Sequence, residues 1–430
     1  MRRKRIAIIN PPSPFLIDEK VFPNIGAVRV ATALNEEHEV TLFDFNGMKS
    51  PNRVMKQVAT DFDYYLFSST TPNFPATYNL FSALKEENPI AKTVIGGPHA
   101  SAMSSLRRKG KPDINYEALE EFDTIFEGEG EDTRNILKLG WQKGEIIKNL
   151  DDVPIPDSTF INLPSYKYNL FGKATTNIQT QRGCPYQCDF CSGRDIEMYN
   201  KVRNHSPERV VKEMDILNNK YGFDSFMWYD DEINLKPNRL EKLCTSLMER
   251  DYQHRGFVRS DLIVKHPHLV HLMQEAGFVK LCAGVESGSN KMLEMVNKKS
   301  DYDTNMKARK IIGDEGIHYE AFTLIGFPGE TEKDVEQTRL WLQIAKPDDF
   351  DINVITPYPG SKIYDDAVPS TKHKGYFWEY KGLYFNKPLY NKDNSYYKGK
   401  GGQSFVDSRT DELTSERIHE LREEIQKCTK

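Results

Sequence analysis

The chain has 430 residues, 38% of them hydrophobic and 28% charged, which is enough apolar material for more than one core in an ordinary water-soluble protein. A net charge of -5 argues against nucleic acid as a partner, because phosphate binding needs a basic surface. No apolar run approaches the length of a membrane span and six cysteines do not make a disulfide framework, so no membrane association and a reducing, cytoplasmic setting are expected.

Arg2-Arg3-Lys4-Arg5 precedes Ile6-Ala7-Ile8-Ile9, an apolar stretch too short for a signal-peptide core and read as a buried strand with a charged lead. Further strands are predicted at residues 39–43, 64–68, 93–95 and 124–126, with amphipathic helices such as 25–34 and 75–85 between them. Strands alternating with helices over residues 1–140 predict a Rossmann-like doubly wound parallel sheet, with ligands beyond the carboxyl ends of its strands. In the loops there, Ile95-Gly-Gly-Pro-His-Ala-Ser101 and Phe126-Glu-Gly-Glu-Gly-Glu-Asp132 stand out, since paired glycines let a backbone approach a bulky ligand.

Together these two segments resemble the cobalamin-binding domain that precedes the barrel in a large subclass of radical S-adenosylmethionine (SAM) proteins. The resemblance implies cobalamin beside Ser68, Ser69, Gly96, Gly97 and Glu129, with the hydroxyls of Ser68-Ser-Thr-Thr71 near its nucleotide tail. The cobalt-ligating version of the domain carries D-x-H-x-x-G after its first strand. Residues 10–24 contain no histidine, so cobalamin is expected without a histidine ligand from that loop. His99 is placed near the tail rather than on cobalt.

Residues 141–173 read as a linker, because two prolines in Leu150-Asp-Asp-Val-Pro-Ile-Pro-Asp157 favour extended backbone. Alternation restarts at residue 174, with strands predicted at 174–180, 225–228, 256–258, 279–285, 318–325 and 351–355. Ser206 can cap a helix that has Pro207 in its first turn. Six repeats over residues 174–365 predict a partial (β/α)6 barrel, with chemistry at the strand carboxyl ends. The whole is an α/β protein.

After the first barrel strand comes Gln181-Arg-Gly-Cys-Pro-Tyr-Gln-Cys-Asp-Phe-Cys-Ser192. Its spacing puts Cys184, Cys188 and Cys191 on one short loop, able to hold three corners of an iron–sulfur cube and leave one iron open. Structural zinc completed by His205, or plain core thiols, are the alternative readings. Cys244 and Cys282 fall in apolar helix and strand patterns as core residues, and Cys428 lies near the end of the sequence.

The loop resembles the radical SAM signature. The resemblance implies a 4Fe-4S cluster whose open iron chelates SAM, reductive cleavage to a 5′-deoxyadenosyl radical, and an external electron donor such as flavodoxin or ferredoxin. Later strand ends support it: Ala283-Gly-Val-Glu-Ser-Gly-Ser289 is similar to the family's GIESGS, and Ile325-Gly-Phe-Pro-Gly-Glu-Thr331 to its GLPGET. The family pattern implies SAM contacts from Asp230 or Asp231, Arg259, Glu286, Ser287, Gly326 and Pro328. Neighbours on an extended chain point oppositely, so one of Asp230 and Asp231 is expected to face the barrel. The bland readings are a charged turn for the acidic run and structural ion pairs for Glu286 and Arg259. Thr331 and Asp334 read as a capping box.

Residues 366–430 form an aromatic-rich extension, with Tyr376-Phe-Trp-Glu-Tyr-Lys-Gly-Leu-Tyr-Phe385, Tyr390, Tyr396, Tyr397 and a glycine turn before a helix over 410–427. It either lines the barrel mouth or packs on its open edge. The expected activity is that of a radical SAM enzyme, a cobalamin-dependent methyltransferase acting on an unactivated carbon. A radical SAM oxidase, cyclase or epimerase with a vestigial front domain, and a metal-binding sensor, are the alternatives. No residue is singled out as catalytic, and the substrate is left open.

Overall fold

The computed structural model describes residues 3–194, 196–392 and 407–428. Strand β1 (Arg5–Asn10) buries Ile6 and Ile8 on one face and Ala7 and Ile9 on the other, as expected for a strand covered on both sides. With β2 (Glu39–Asp44), β3 (Tyr64–Ser68), β4 (Thr93–Gly96), β5 (Thr124–Glu127) and β6 (Gly140–Lys143) it forms a parallel sheet in the order β2-β1-β3-β4-β5-β6. The order reverses between β1 and β3, which sets the ligand crevice beyond Asn10 and Ser68. β6 overlaps the predicted linker: Gly140-Trp-Gln-Lys143 has no apolar run, and as an edge strand it needs none.

β7 (Tyr168–Leu170) folds back antiparallel onto β8 (Lys173–Ile178). The short pair β9 (Gln181–Arg182) and β10 (Arg203–Asn204) frames the cysteine loop. β8 then continues in parallel through β11 (Ser225–Trp228), β12 (Gln253–Val258), β13 (Phe278–Glu286), β14 (His318–Ile325) and β15 (Asp349–Val354), giving six parallel strands of a partial barrel. Ser206 accepts from Arg209 N to cap the helix Pro207–Tyr221, and Thr331 with Asp334 forms the capping box of the helix Glu332–Ala345. Cys282 is buried as expected, but on the polar inner side of β13, between Arg255 (3.3 Å) and Glu320 (3.1 Å).

The extension adds an antiparallel sheet of β16 (Val368–Pro369), β17 (Trp378–Tyr380), β18 (Leu383–Phe385) and β19 (Ser408–Thr410). Tyr380, Leu383 and Phe385 share one core with Phe67 and Phe74 of the first sheet unit and Phe327 of the barrel. The helix Ser415–Cys428 lays Ile418, Leu421 and Ile425 on the barrel core, and buried Arg422 donates to the Ile352 carbonyl of β15 (2.9 Å). Tyr396, Tyr397, the glycine turn and the side chain of Cys428 lie outside the described residues. Among the described residues no helix is long and apolar enough to cross a membrane.

Candidate active site

The carboxyl ends of the two sheets face each other across a cavity of about 530 Å³. Ser68, Gly96, Gly97 and Glu129 line one side; Gln179, Arg182, Tyr229 and Asp231 line the other. Beneath the first set, Ile8, Leu66, Val94, Phe126 and Val30 make an apolar trough. Gly97 has φ +92°, and a Cβ there would come within 2.7 Å of the Ser69 carbonyl oxygen, so the loop requires glycine. Bare backbone beside an apolar trough at the switch point suits a large ligand such as a corrinoid. No described lining residue is a histidine.

Two residues from the cobalamin resemblance have their polar groups bonded to other parts of the protein. The buried Ser69 hydroxyl lies 3.2 Å from Asn73 Oδ1 and 3.1 Å from the Thr77 hydroxyl, away from the cavity lining. Glu129 accepts from Arg182 and Arg203 (2.5 Å each) and from Ile147 N (2.9 Å), while Glu131 takes another nitrogen of Arg182 (2.5 Å). These carboxylates tie the first unit to the cysteine loop. His99 is buried, 3.1 Å from the Thr71 hydroxyl and tilted against the Phe74 ring at 4.4 Å, and burial pushes its pKa down to about 3.

Asp230 is buried and accepts from Thr180 N (2.6 Å), Gln181 N (2.9 Å) and the Thr180 hydroxyl (2.5 Å), fixing the entry to the cysteine loop. Burial outweighs those bonds and raises its pKa to about 6. Asp231 faces the cavity, 3.3 Å from Arg194, whose other nitrogen donates to the Cys184 carbonyl (2.5 Å). Gly183, at φ +85°, lets the loop pass the Lys201 carbonyl, which an added Cβ would meet at 2.3 Å.

Cys184 and Cys188 are buried, Cys191 is partly so, and none is in a disulfide. Burial raises all three thiol pKa values, that of Cys191 to about 12, where the neighbouring Cys188 and Cys184 add to the effect and Arg194 opposes it. Such thiols stay protonated until a metal displaces the proton. Three neighbouring thiols on one loop fit three corners of a cubane cluster. His205 does not complete a zinc site: it lies 3.1 Å from Asp151 and 3.4 Å from Arg29. Among the described residues no three His, Cys, Asp or Glu side chains are grouped to hold a single metal ion.

On the barrel side, Glu286 sits at φ +63° and 3.0 Å from the Lys298 ammonium. Ser287 is buried, with its hydroxyl 3.1 Å from that of Thr338 and accepting from Ser289 N (3.0 Å), so it shapes the turn. Arg259 stacks on Tyr186 at 3.4 Å and donates to Asp261 (2.8 Å) and the Lys299 carbonyl (3.3 Å). The amides of Gly326 and Phe327 both donate to Glu330 (2.5 and 3.2 Å), whose pKa burial raises to about 8, and Pro328 is buried in the same turn.

Two further residues belong here. Burial raises the pKa of Glu232 to about 7 against the pull of Lys298 and Arg259, and one of its oxygens has no protein partner. Lys298 feels Glu286 and Cys188 most strongly among charged neighbours. Acidic and basic groups next to Cys188 suit a zwitterionic ligand carrying both an ammonium and a carboxylate. Glu232 was visible in sequence as the third carboxylate after β11, whereas no spacing marks Lys298.

The radical SAM superfamily model matches residues 178–342 and the B12 binding domain model matches residues 19–138. An uncharacterized methyltransferase of Pyrococcus horikoshii is 27% identical over 391 residues, 86% of this chain and 84% of that one. The anaerobic magnesium-protoporphyrin IX monomethyl ester cyclase of Rubrivivax gelatinosus is 26% identical over 323 residues, 68% of this chain and 56% of its own. The cobalamin-dependent SAM radical enzyme OxsB, solved with aqua-cobalamin and SAM bound, superposes with a TM-score of 0.64 at 17% identity, over 85% of this chain. The match spans 55% of the OxsB chain, so its likeness is one of fold. The chain belongs to the radical SAM superfamily and carries a B12-binding domain ahead of the radical SAM domain. It is therefore an enzyme of 4Fe-4S cluster and SAM with a cobalamin domain, and the sensor alternative falls away.

Proposed function

We propose that this enzyme is a cobalamin-dependent methyltransferase acting on an unactivated carbon. The observation that carries the reading is the shared cavity: the B12-binding crevice and the cysteine-loop end of the barrel open onto one space. Cys184, Cys188 and Cys191 would hold the cluster; Glu232, Glu286, Lys298, Arg259 and the Gly326–Pro328 turn would receive SAM; Ser68, Gly96 and Gly97 would receive cobalamin. When bound, these groups supply hydrogen-atom abstraction and a transferable methyl group. The chain's own part is to orient them: Asp230 fixes the loop entry, and Arg182 joins that loop to Glu129 and Glu131 across the cavity. Burial of the site keeps bulk water from reactive species.

An external one-electron donor is required, and flavodoxin or ferredoxin fits that need in a reducing cytoplasm. The test is anaerobic reconstitution followed by reductant and methyl-labelled SAM. The expected products are 5′-deoxyadenosine and a labelled methylated compound from cell extract, both lost in Cys188→Ser. A full cluster that yields neither product refutes the reading. A cyclase or oxidase is the second reading, favoured by the cyclase relative and by the histidine-free cavity lining. Equilibrium dialysis with hydroxocobalamin separates them: no retention favours a vestigial front domain.

A further inference from the structure

The extension after the barrel carries no family pattern, yet one part of it touches the cysteine loop. Asp189, between Cys188 and Cys191, is buried and accepts from the Tyr380 hydroxyl (2.6 Å) and the Lys381 ammonium (2.9 Å). The same ammonium donates to the Met295 carbonyl (3.3 Å). Both donors sit at the tip of the β17–β18 hairpin, whose two turn residues, Lys381 and Gly382, have φ +48° and +83°. Such turns favour Asn-Gly, because the first position is left-handed; lysine there is strained. Strain tolerated at one side chain that bonds a functional loop points to a role for that side chain.

A second left-handed residue grips the same loop. Asn297, at φ +56°, donates to the Gln187 carbonyl (2.8 Å), and the backbone of Asp189 is held by Val296 O (2.9 Å) and Ile363 N (3.1 Å). The loop is thus fastened along its back by three separate segments, and of the three the hairpin is the one that bonds a cation to Asp189.

We propose that the β17–β18 hairpin braces the cysteine loop, with Tyr380 and Lys381 as positioning residues that set how firmly the loop keeps its cluster and at what potential the cluster is reduced. The proposal rests on the radical SAM reading of the loop. Lys381 offsets the buried Asp189 charge between two thiolate ligands, and net charge and hydrogen bonding near a cluster tune its potential.

The test compares the anaerobically reconstituted full chain with Lys381→Asn, Lys381→Arg, Tyr380→Phe and Lys372→Ala. Lys372 pairs with Asp411 instead of the loop and serves as control. Iron release to a chelator and the cluster's reduction potential are measured, with thermal unfolding of the unloaded protein. Lys381→Asn relaxes its turn but leaves buried Asp189 without its cation; thermal unfolding reads the balance, and the variant is expected to release iron on the order of tenfold faster and to reduce at a more negative potential. Lys381→Arg recovers the potential, Tyr380→Phe speeds release, and Lys372→Ala matches wild type. Iron release and potential unchanged in both Lys381→Asn and Tyr380→Phe overturn the brace; should Lys381→Asn not fold, Tyr380→Phe decides alone. Wild type that takes up no cluster refutes the radical SAM reading, and the brace with it.

Discussion

Two acidic runs end strands on opposite sides of the cavity, and they have opposite fates. After β5, Glu129 and Glu131 meet Arg182 and Arg203 at 2.5 Å. Burial alone would raise the pKa of Glu131, but Arg182 and Arg29 outweigh it and hold the carboxyl below its ordinary range. After β11, burial of Asp230 and Glu232 prevails, and their pKa values rise to about 6 and about 7. A carboxylate matched by guanidinium groups is a fastener; Asp230 fastens through amides and a hydroxyl instead, and Glu232, with one oxygen unpartnered, is available to a cationic ligand. The likeness of the two runs in sequence conceals this, because the deciding partners lie far along the chain.

The sharpest way to break the contrast is Arg182→Ala, which takes the bonded guanidinium from Glu131 and leaves Glu129 with Arg203 alone, and is expected to cost about 3 kcal/mol in denaturant unfolding. A loss below 1 kcal/mol would show that the latch is not what joins the two units. Glu129→Gln keeps the shape but removes one charge, and about 2 kcal/mol is expected, with Arg203 left partly unmatched.

Glu232→Gln should act with the other sign. The folded pKa is raised from 4.5 to about 7, so ionisation is disfavoured in the folded state and the penalty grows as pH rises from 4.5 through 7. Partial exposure trims it to about 2 kcal/mol above pH 8. The unloaded variant should therefore be more stable than wild type at pH 8 and equal to it near pH 4.5, while binding SAM more weakly. A variant less stable than wild type at pH 8 would place Glu232 with the fasteners. Asp231→Asn, at a side chain 37% exposed, should change stability by no more than about 0.5 kcal/mol, which thermal unfolding can check.

Much of the fold was legible because it depends on local pattern. Apolar runs bounded by turn residues located β3, β11 and β14 to the residue, and the caps at Ser206 and Thr331 formed as read. β6 and β7 escaped, since short edge strands need no apolar run. Within the candidate site, the cysteine spacing was local and therefore readable. Asp230 and Asp231 could not be told apart until Thr180 and Arg194 were in place, and the bonds of Glu129 and Ser69 depend on packing that no motif encodes. Lys298 becomes visible only when the turn after Asn297 brings it to Glu286.

A barrel of six strands is an unfinished ring, and its two rims are invitations to polymerise. β7 occupies one rim as a reversed strand, and the terminal helix lies along the other with Arg422 on the Ile352 carbonyl. Both ends are thereby blunted against strand addition by another molecule. The gap between them can therefore stay unsealed without drawing in strands from a second copy.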